Sequence, residues 1–217
     1  MNRKLSKHHF WRWFLRHHHE YLHLQKKTNK EAKYWIDEMN THLRAYFKYL
    51  GFAITWKKDG QNAVLTISAH GKARYFDRVD AFVATAPEIP GWQVQALEEP
   101  MPLAFMLRGT TDEAGIDPQE FRCALSGDTH RPVLTLYHPL YTEERRNAFR
   151  QMADMVVYAL LGERSFGQDI AAVYVDNLSR SAGDEELIVP DDLPAYVGSR
   201  ESHMVVDASG RISGRDE

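Results

Sequence analysis

The feature that most constrains the fold is a β-hairpin followed by a helix and a further strand, which the sequence presents twice. The first set spans about residues 52–97 and the second about residues 120–176. In each set, segments that alternate apolar and polar side chains predict strands, and apolar residues three and four positions apart predict a helix. The clearest stretch is Asn62–Leu97. The sequence identity between the two sets is slight. We therefore predict a structural repeat rather than a sequence repeat.

Two amphipathic helices precede the first hairpin, at about 7–24 and 30–50. Together with the hairpins they predict one α+β domain over residues 1–178, with a basic helical region at 1–50 and a sheet core at 51–178. We expect six largely antiparallel strands in one sheet, with the helices packed on one face. Residues 179–217 are polar and acidic, which predicts a partly mobile tail in which 193–197 can dock on the domain.

Local signals predict where several of these elements begin and end. Ser6 and Asn29 are placed as helix caps, and Asp59-Gly60 as the centre of a hairpin turn. Leu103–Leu107 is a candidate short strand, and Gly162 is expected to end the long helix that begins near Thr142.

Charge is split along the chain. Residues 1–58 hold 13 Lys and Arg but four acids, a net charge of +9, whereas the remainder holds 14 bases and 26 acids, a net charge of −12. A basic region of this kind either binds an anionic partner or packs beside the acidic remainder of the same molecule. There is no apolar run of the roughly 18–20 residues that span a bilayer, and there is one cysteine. These features predict a cytoplasmic protein.

The first helix has a bulky apolar face that includes Trp11 and Trp13, and an opposite face that includes Arg12 and Arg16. This pattern predicts that the aromatic face covers the sheet, and an interfacial membrane helix is the alternative. Binding of a nucleic-acid strand would require the aromatic and basic side chains on one face. Packing is therefore favoured over nucleic-acid recognition.

The sharpest catalytic pattern is His19-Glu20-Tyr21-Leu22-His23, which resembles the zinc-metalloprotease motif. On a helix it places two imidazoles one turn apart and a carboxylate that can deprotonate a zinc-bound water. Against it stand the many other histidines of this segment, the lack of a well-placed third ligand and the nearby positive charge of Arg16. A zinc hydrolase that uses His19, His23 and Glu20 is therefore the alternative to a non-catalytic function.

Other potentially reactive residues are interpreted structurally. Ser126, Asp128 and His130 fall on a predicted turn, whereas a catalytic triad needs separate elements to orient its members. Cys123 falls within a predicted strand and is interpreted as a small core residue.

Three segments carry a resemblance to a bacterial protein family of unknown function: TISAHGKARYF, APEIPGWQVQAL and ALLGERSFGQDIAAVYV. The likeness covers about residues 50–178 and rests on turn and packing residues, such as Ala-Pro and Gly-Trp. It implies a bacterial α+β protein and transfers no catalytic residue.

From these observations we predict a non-catalytic binding protein whose first helix engages a partner through Arg12, Arg16, Trp11 and Trp13. The expected partner is another protein or a second copy of the chain. A binder of anionic surfaces is a further possibility, whereas nucleic acid and the membrane surface are disfavoured.

Overall fold

The computed structural model describes residues 7–58, 62–107, 115–127, 131–181 and 186–198, and the backbone of 205–206 and 212–213. Contacts divide the chain into two compact units: unit 1 is Met1–Glu98 and unit 2 is Glu99–Glu217. The domain boundaries expected from the sequence, 1–178 and 179–217, stay a prediction.

Among its described residues, unit 1 has three α-helices and three strands. Their order is α1 (Lys7–Leu22), α2 (Asn29–Tyr46), β1 (Gly51–Trp56), β2 (Ala63–Ser68), α3 (Phe76–Val83) and β3 (Trp92–Ala96). The strands form one sheet in the order β1-β2-β3, in which β1 is antiparallel to β2 and β3 is parallel to it.

The described part of unit 2 follows the same plan with additions at both ends. Its elements are α4 (Leu103–Leu107), β4 (Arg122–Ser126), β5 (Val133–His138), α5 (Arg146–Gln168), β6 (Ala172–Asn177), α6 (Leu193–Gly198) and the two-residue strands β7 (Val205–Val206) and β8 (Ile212–Ser213). The sheet order is β4-β5-β6, with an antiparallel pair and then a parallel pair. The strands β7 and β8 pair separately and antiparallel.

The α+β class is therefore confirmed, but the single six-stranded, largely antiparallel sheet is wrong. The structure has two separate mixed sheets of three strands. The reason lies in the connection between the second and third strand of each unit. A helix carries the chain back along the sheet, so the strand that follows it runs in the same direction as the strand before it.

The predicted structural repeat is seen in the strand register. Phe52 pairs with Ile67 in the first hairpin, and Arg122 pairs with Tyr137 in the second. Arg122 and Tyr137 each lie 70 positions after their counterparts in the first hairpin. Helices α3 and α5 begin at Phe76 and Arg146, which are also 70 positions apart. The units then diverge, because α5 is 23 residues long and α3 is eight.

The turn after the central strand is also repeated, with different chemistry. In unit 1 the Ser68 hydroxyl accepts a hydrogen bond from the His70 backbone N–H at 2.9 Å. In unit 2 the Nδ1 atom of His138 accepts one from the Leu140 backbone N–H at 3.1 Å. Two unlike side chains thus satisfy the same backbone donor at the same place in the fold.

The core of unit 1 forms where the aromatic face of α1 meets the other helices and the sheet. Phe14 and Tyr21 of α1, Leu43 of α2 and Ile67 of β2 are fully buried in one cluster with Phe82 of α3. This confirms the prediction that the aromatic face of α1 covers the sheet, because that face finds its apolar partners within unit 1.

The core of unit 2 forms between α5 and its sheet. Val156 of α5 and Leu136 of β5 are fully buried there, and Leu193 of α6 joins the same cluster. The Ile188 backbone exchanges two hydrogen bonds of 2.8 Å with Cys123. The prediction that residues 193–197 dock is confirmed for Leu193.

Two of these local signals need correction. Helix α2 begins one residue earlier than expected, because Thr28 caps it in a reciprocal box with Glu31. Leu103–Leu107 is a helix and not a strand. Ser6 and the turn centre at 59–60 lie outside the described residues.

Gly162 does not end α5, which continues to Gln168. It does interrupt the helical geometry, with φ 71° and ψ 168°. This backbone conformation is essentially restricted to glycine, because a Cβ atom would meet the neighbouring backbone. The expected stop therefore marks a kink within the helix.

We predict that Gly162→Ala lowers the stability of unit 2 by at least about 1 kcal/mol, because it strains the backbone. Replacement of glycine by alanine within a regular helix usually raises stability instead. The measurement is the denaturant dependence of thiol labelling, since the chain's one cysteine, Cys123, is fully buried in unit 2.

Gly167→Ala is the matched control. Gly167 lies in the same helix and has no positive φ, so its replacement should leave stability unchanged or raise it by up to about 1 kcal/mol. A Gly162→Ala protein as stable as this control would contradict the strain argument.

Candidate functional site

The outer side of α1 carries a continuous basic face, which we define as His8, Arg12, Leu15, Arg16 and His19. These side chains are exposed, and their spacing of three and four residues places them on one side of the helix. Leu15, with 41% of its surface exposed, is the apolar member. Arg12 Nε donates to the His8 carbonyl at 3.3 Å, which holds this guanidinium along the helix.

The four acids of residues 1–58 already have partners within that region. Glu20 accepts from Lys27 Nζ at 2.5 Å and Asp37 from Lys33 Nζ at 2.6 Å. Glu31 forms the capping box, and Glu38 lies 3.9 Å from His42. In the described part of the chain, no carboxylate lies within 4.0 Å of the guanidinium groups of Arg12, Arg16 or Arg44. The positive charge of Arg12 and Arg16 on the basic face is thus locally uncompensated.

The two predicted aromatic contact residues are not on this face. Trp11 is 2% exposed, and its indole N–H donates to the Phe82 carbonyl at 3.2 Å. Trp13 is half-buried and stacks on the His42 ring, with 4.1 Å between ring centroids. The structure therefore places Arg12 and Arg16 on the outer side of α1 and both tryptophans on the packed side.

Trp13 is the centre of a histidine cluster between α1 and α2. The His17 ring lies 5.7 Å from it, and the His9 ring lies 6.2 Å from the His42 ring. Burial lowers the pKa of His42, and the negative charge of Glu38 opposes this effect. A desolvated, neutral imidazole of this kind packs well between helices and resists protonation.

The residues of the zinc motif are not arranged as a metal centre. Helix α1 ends at Leu22, so His23 lies beyond the helix that would align it with His19. The Lys27 ammonium group lowers the pKa of Glu20 by hydrogen bonding to it, and His19 Nε2 lies 3.2 Å from the other Glu20 oxygen. Among the described residues, no three potential ligands cluster. Glu20 is thus held in an ion pair rather than aimed at a metal-bound water.

Sequence analysis missed a groove in unit 1 that runs between α2 and the edge strand β1. Its volume is about 380 Å³. One wall is formed by Ile36, Asn40 and Arg44, which recur every four residues along α2, and the other by residues 51–54 of β1. The His70 ring closes one end. The spacing on α2 is visible in the sequence, but the groove itself depends on β1 being an edge strand, which the sequence did not reveal.

The His70 ring lies against Gly51 in this groove. A Cβ atom added to Gly51 would approach the ring to 2.3 Å. His70 itself has a positive φ of 54°, which is uncommon for a residue with a side chain. The lack of a side chain at Gly51 therefore lets the imidazole lie directly over the start of β1.

Unit 2 carries a wider, open groove of about 590 Å³ along the outer side of α5. Met101, Met155, Tyr158 and Phe166 supply most of its apolar lining, and Asp154 lies among them. Burial raises the pKa of Asp154, and the positive charge of Arg150 opposes this effect. A concave, mostly apolar lining with a few polar groups is typical of a ligand-binding pocket.

His138 is a polar side chain of unit 2 with no exposed surface, as is Glu163. Because its Nδ1 accepts from the Leu140 N–H, its Nε2 carries the proton of the neutral ring and donates to the Asp117 carbonyl at 3.2 Å. Burial is the main cause that lowers its pKa. The residue therefore holds a turn in its neutral form.

The remaining candidates show no catalytic arrangement among the described residues. Burial raises the pKa of Cys123 to about 12, so its thiol is unreactive in the folded protein. Ser126 ends β4 and is exposed, whereas Asp128 and His130 lie outside the described residues.

Compared with protein-family models, curated proteins and solved structures, the chain shows no match. The resemblance to a bacterial family therefore stays a prediction. No helix in the described ranges has the length and apolar character needed to cross a membrane.

The buried histidines predict how stability depends on pH. The pKa values of His18, His42 and His138 are all lowered by burial. Each is then protonated more readily in the unfolded chain than in the folded one. The stability that these neutral histidines contribute is therefore complete above the ordinary histidine pKa of about 6.5. It decreases as the pH drops below that value.

His138→Asn tests this assignment within unit 2. The Asn carbonyl can accept from the Leu140 N–H but does not titrate, so the loss of stability from about pH 7 to pH 5 should shrink. Thiol labelling of Cys123 in denaturant at each pH is the measurement. An unchanged pH dependence in this variant would show that His138 does not carry it.

Proposed function

We propose that this protein is a non-catalytic interaction protein that binds an acidic protein segment on the basic face of α1. One observation carries the proposal. All four acids of residues 1–58 are held in ion pairs, a cap or a histidine contact, while the guanidinium groups of Arg12 and Arg16 are exposed without a described acidic partner. Unpaired surface charge of one sign steers and selects partners of the opposite sign.

A protein is favoured over other anionic partners because of what the basic face lacks. Binding of single-stranded nucleic acid uses exposed aromatic rings on which bases stack, but Trp11 and Phe14 are buried in the core. Insertion into a membrane surface needs an apolar face turned outward, and Leu15 is the apolar residue on this face. Acidic side chains need neither feature.

The free cysteine bears on the cellular compartment in which the partner is bound. We include in the proposal a cytoplasmic setting, since the single thiol of the chain is buried and unpaired, and a bacterial one, which rests on the family resemblance alone. A second copy of the chain is one source of acidic surface, because residues 59–217 carry a net charge of −12.

Removing residues 1–24 would not test this proposal. Phe10, Trp11, Phe14 and Tyr21 are buried in the core of unit 1, and their loss would unfold it. Charge reversal at the exposed positions leaves the core intact and is the appropriate test.

We expect Arg12→Glu with Arg16→Glu to weaken binding of a labelled acidic 12-residue peptide by at least about tenfold at low salt. Fluorescence anisotropy gives the affinity, and sedimentation velocity of the protein alone reports whether a second copy is bound. Binding should weaken further as salt is added. Self-association that the same charge reversal removes would identify the acidic partner as a second copy.

Lys57→Glu with Lys58→Glu is the matched control, because both lysines are exposed and the change in net charge is the same. It should alter the affinity by less than about twofold, since both lysines follow the end of β1 and neither belongs to the basic face of α1. Equal losses in the two double variants, or tighter binding of DNA or anionic vesicles than of the peptide, would refute the proposal.

A further inference from the structure

We propose that the groove between α2 and β1 binds an extended peptide through its free C-terminal carboxylate, by adding a strand to the edge of the sheet. The site lies apart from the basic face and shares no residue with it. Three features carry the inference: the open edge of β1, the row of side chains Ile36, Asn40 and Arg44 on α2, and the unpaired cation in the last turn of that helix.

The first feature is the backbone of β1, which pairs with β2 on one side and is an edge of the sheet on the other. The Lys57 N–H donates to the Asn62 carbonyl at 2.8 Å, and this pair continues the register of Trp56 with Ala63. In an antiparallel pair, alternate residues turn their N–H and C=O groups toward the partner strand. Those of Phe52 and Ile54 therefore point toward the groove.

Such an edge is a template for another extended segment. Main-chain hydrogen bonds supply affinity in this mode of recognition, and side-chain contacts supply selectivity. In this structure the α2 wall, with Ile36, Asn40 and Arg44, lies opposite the strand. The groove thus offers backbone hydrogen bonds on one side and side-chain contacts on the other, as an added strand requires.

Arg44 identifies the chemical group that the groove selects. It is exposed in the last turn of α2, and no described carboxylate lies within ion-pair distance of it. A guanidinium group binds a carboxylate with two parallel hydrogen bonds, which are stronger than those between neutral groups. A four-residue connection, 47–50, leads from the end of α2 to Gly51, so the cation lies toward the beginning of β1.

This placement sets the direction of the bound peptide. A segment whose carboxylate lies beside Arg44 ends near Gly51, where β1 begins, and so runs antiparallel to β1. The His70 ring over Gly51 closes the groove at this end. The peptide therefore terminates there instead of continuing past the sheet, and this favours a C-terminus over an internal acidic side chain.

The experiment uses immobilised full-length protein and a random pool of acetylated hexapeptides, made once with a free C-terminal carboxylate and once with an amide. We expect the carboxylate pool to be retained at least about fivefold better, because an amide cannot form the charge-assisted pair. Arg44→Gln should remove the preference, and Lys30→Gln, which removes an exposed positive charge from the first turn of the same helix, should leave it.

The position of the peptide is then read from backbone amide shifts in the NMR spectrum, with one retained sequence as the probe. The amides of Phe52 and Ile54 should shift more than those of Ala53 and Thr55, which point toward β2. Equal retention of the two pools, an unchanged preference in Arg44→Gln, or shifts without this alternation would overturn the proposal. Equally tight binding of acetylvaline alone would do so as well, because a single residue cannot add a strand.

Discussion

Both units depend on the central strand of their sheet, which pairs antiparallel with the strand before it and parallel with the strand after it. Neither outer strand has a second partner within its three-stranded sheet, so the central strand supplies the hydrogen bonds of both. In unit 1 this strand is almost wholly buried, including Thr66 and Ser68. The polar groups of such a strand must be satisfied locally, and the Ser68 hydroxyl accordingly accepts from the next turn.

The same constraint creates the candidate sites. A three-stranded sheet has two edges, and in unit 1 one of them faces α2 across a groove. Helix α1 uses its aromatic face for the core, so what remains on its outer side is basic. The two proposed binding surfaces are therefore by-products of how unit 1 completes its core: one is an uncovered sheet edge, and the other is the hydrophilic side of a packed helix.

Local sequence patterns predicted most helices and strands, and also the repeated hairpin, helix and strand, because side-chain periodicity is a local property. They did not predict which strands pair. The prediction of a six-stranded sheet is wrong because strand pairing is long-range, and a local pattern does not distinguish a parallel return from an antiparallel one. Thr28 was missed as a cap because Asn29 is an equally good cap by residue type. Trp11 and Trp13 were expected at a partner surface, although their position opposite Arg12 and Arg16 on the helix already indicated burial.

The division into two units has a consequence for synthesis of the chain. All three strands of each sheet belong to the same unit. In the first sheet, residues that pair across β2 and β3, such as Ala63 and Trp92, are at most about 30 positions apart in the sequence. Domains of multidomain chains generally fold as units during translation. Unit 1 can thus bury its aromatic residues while the ribosome is still adding the second hairpin, so these side chains are shielded from aggregation before unit 2 is complete.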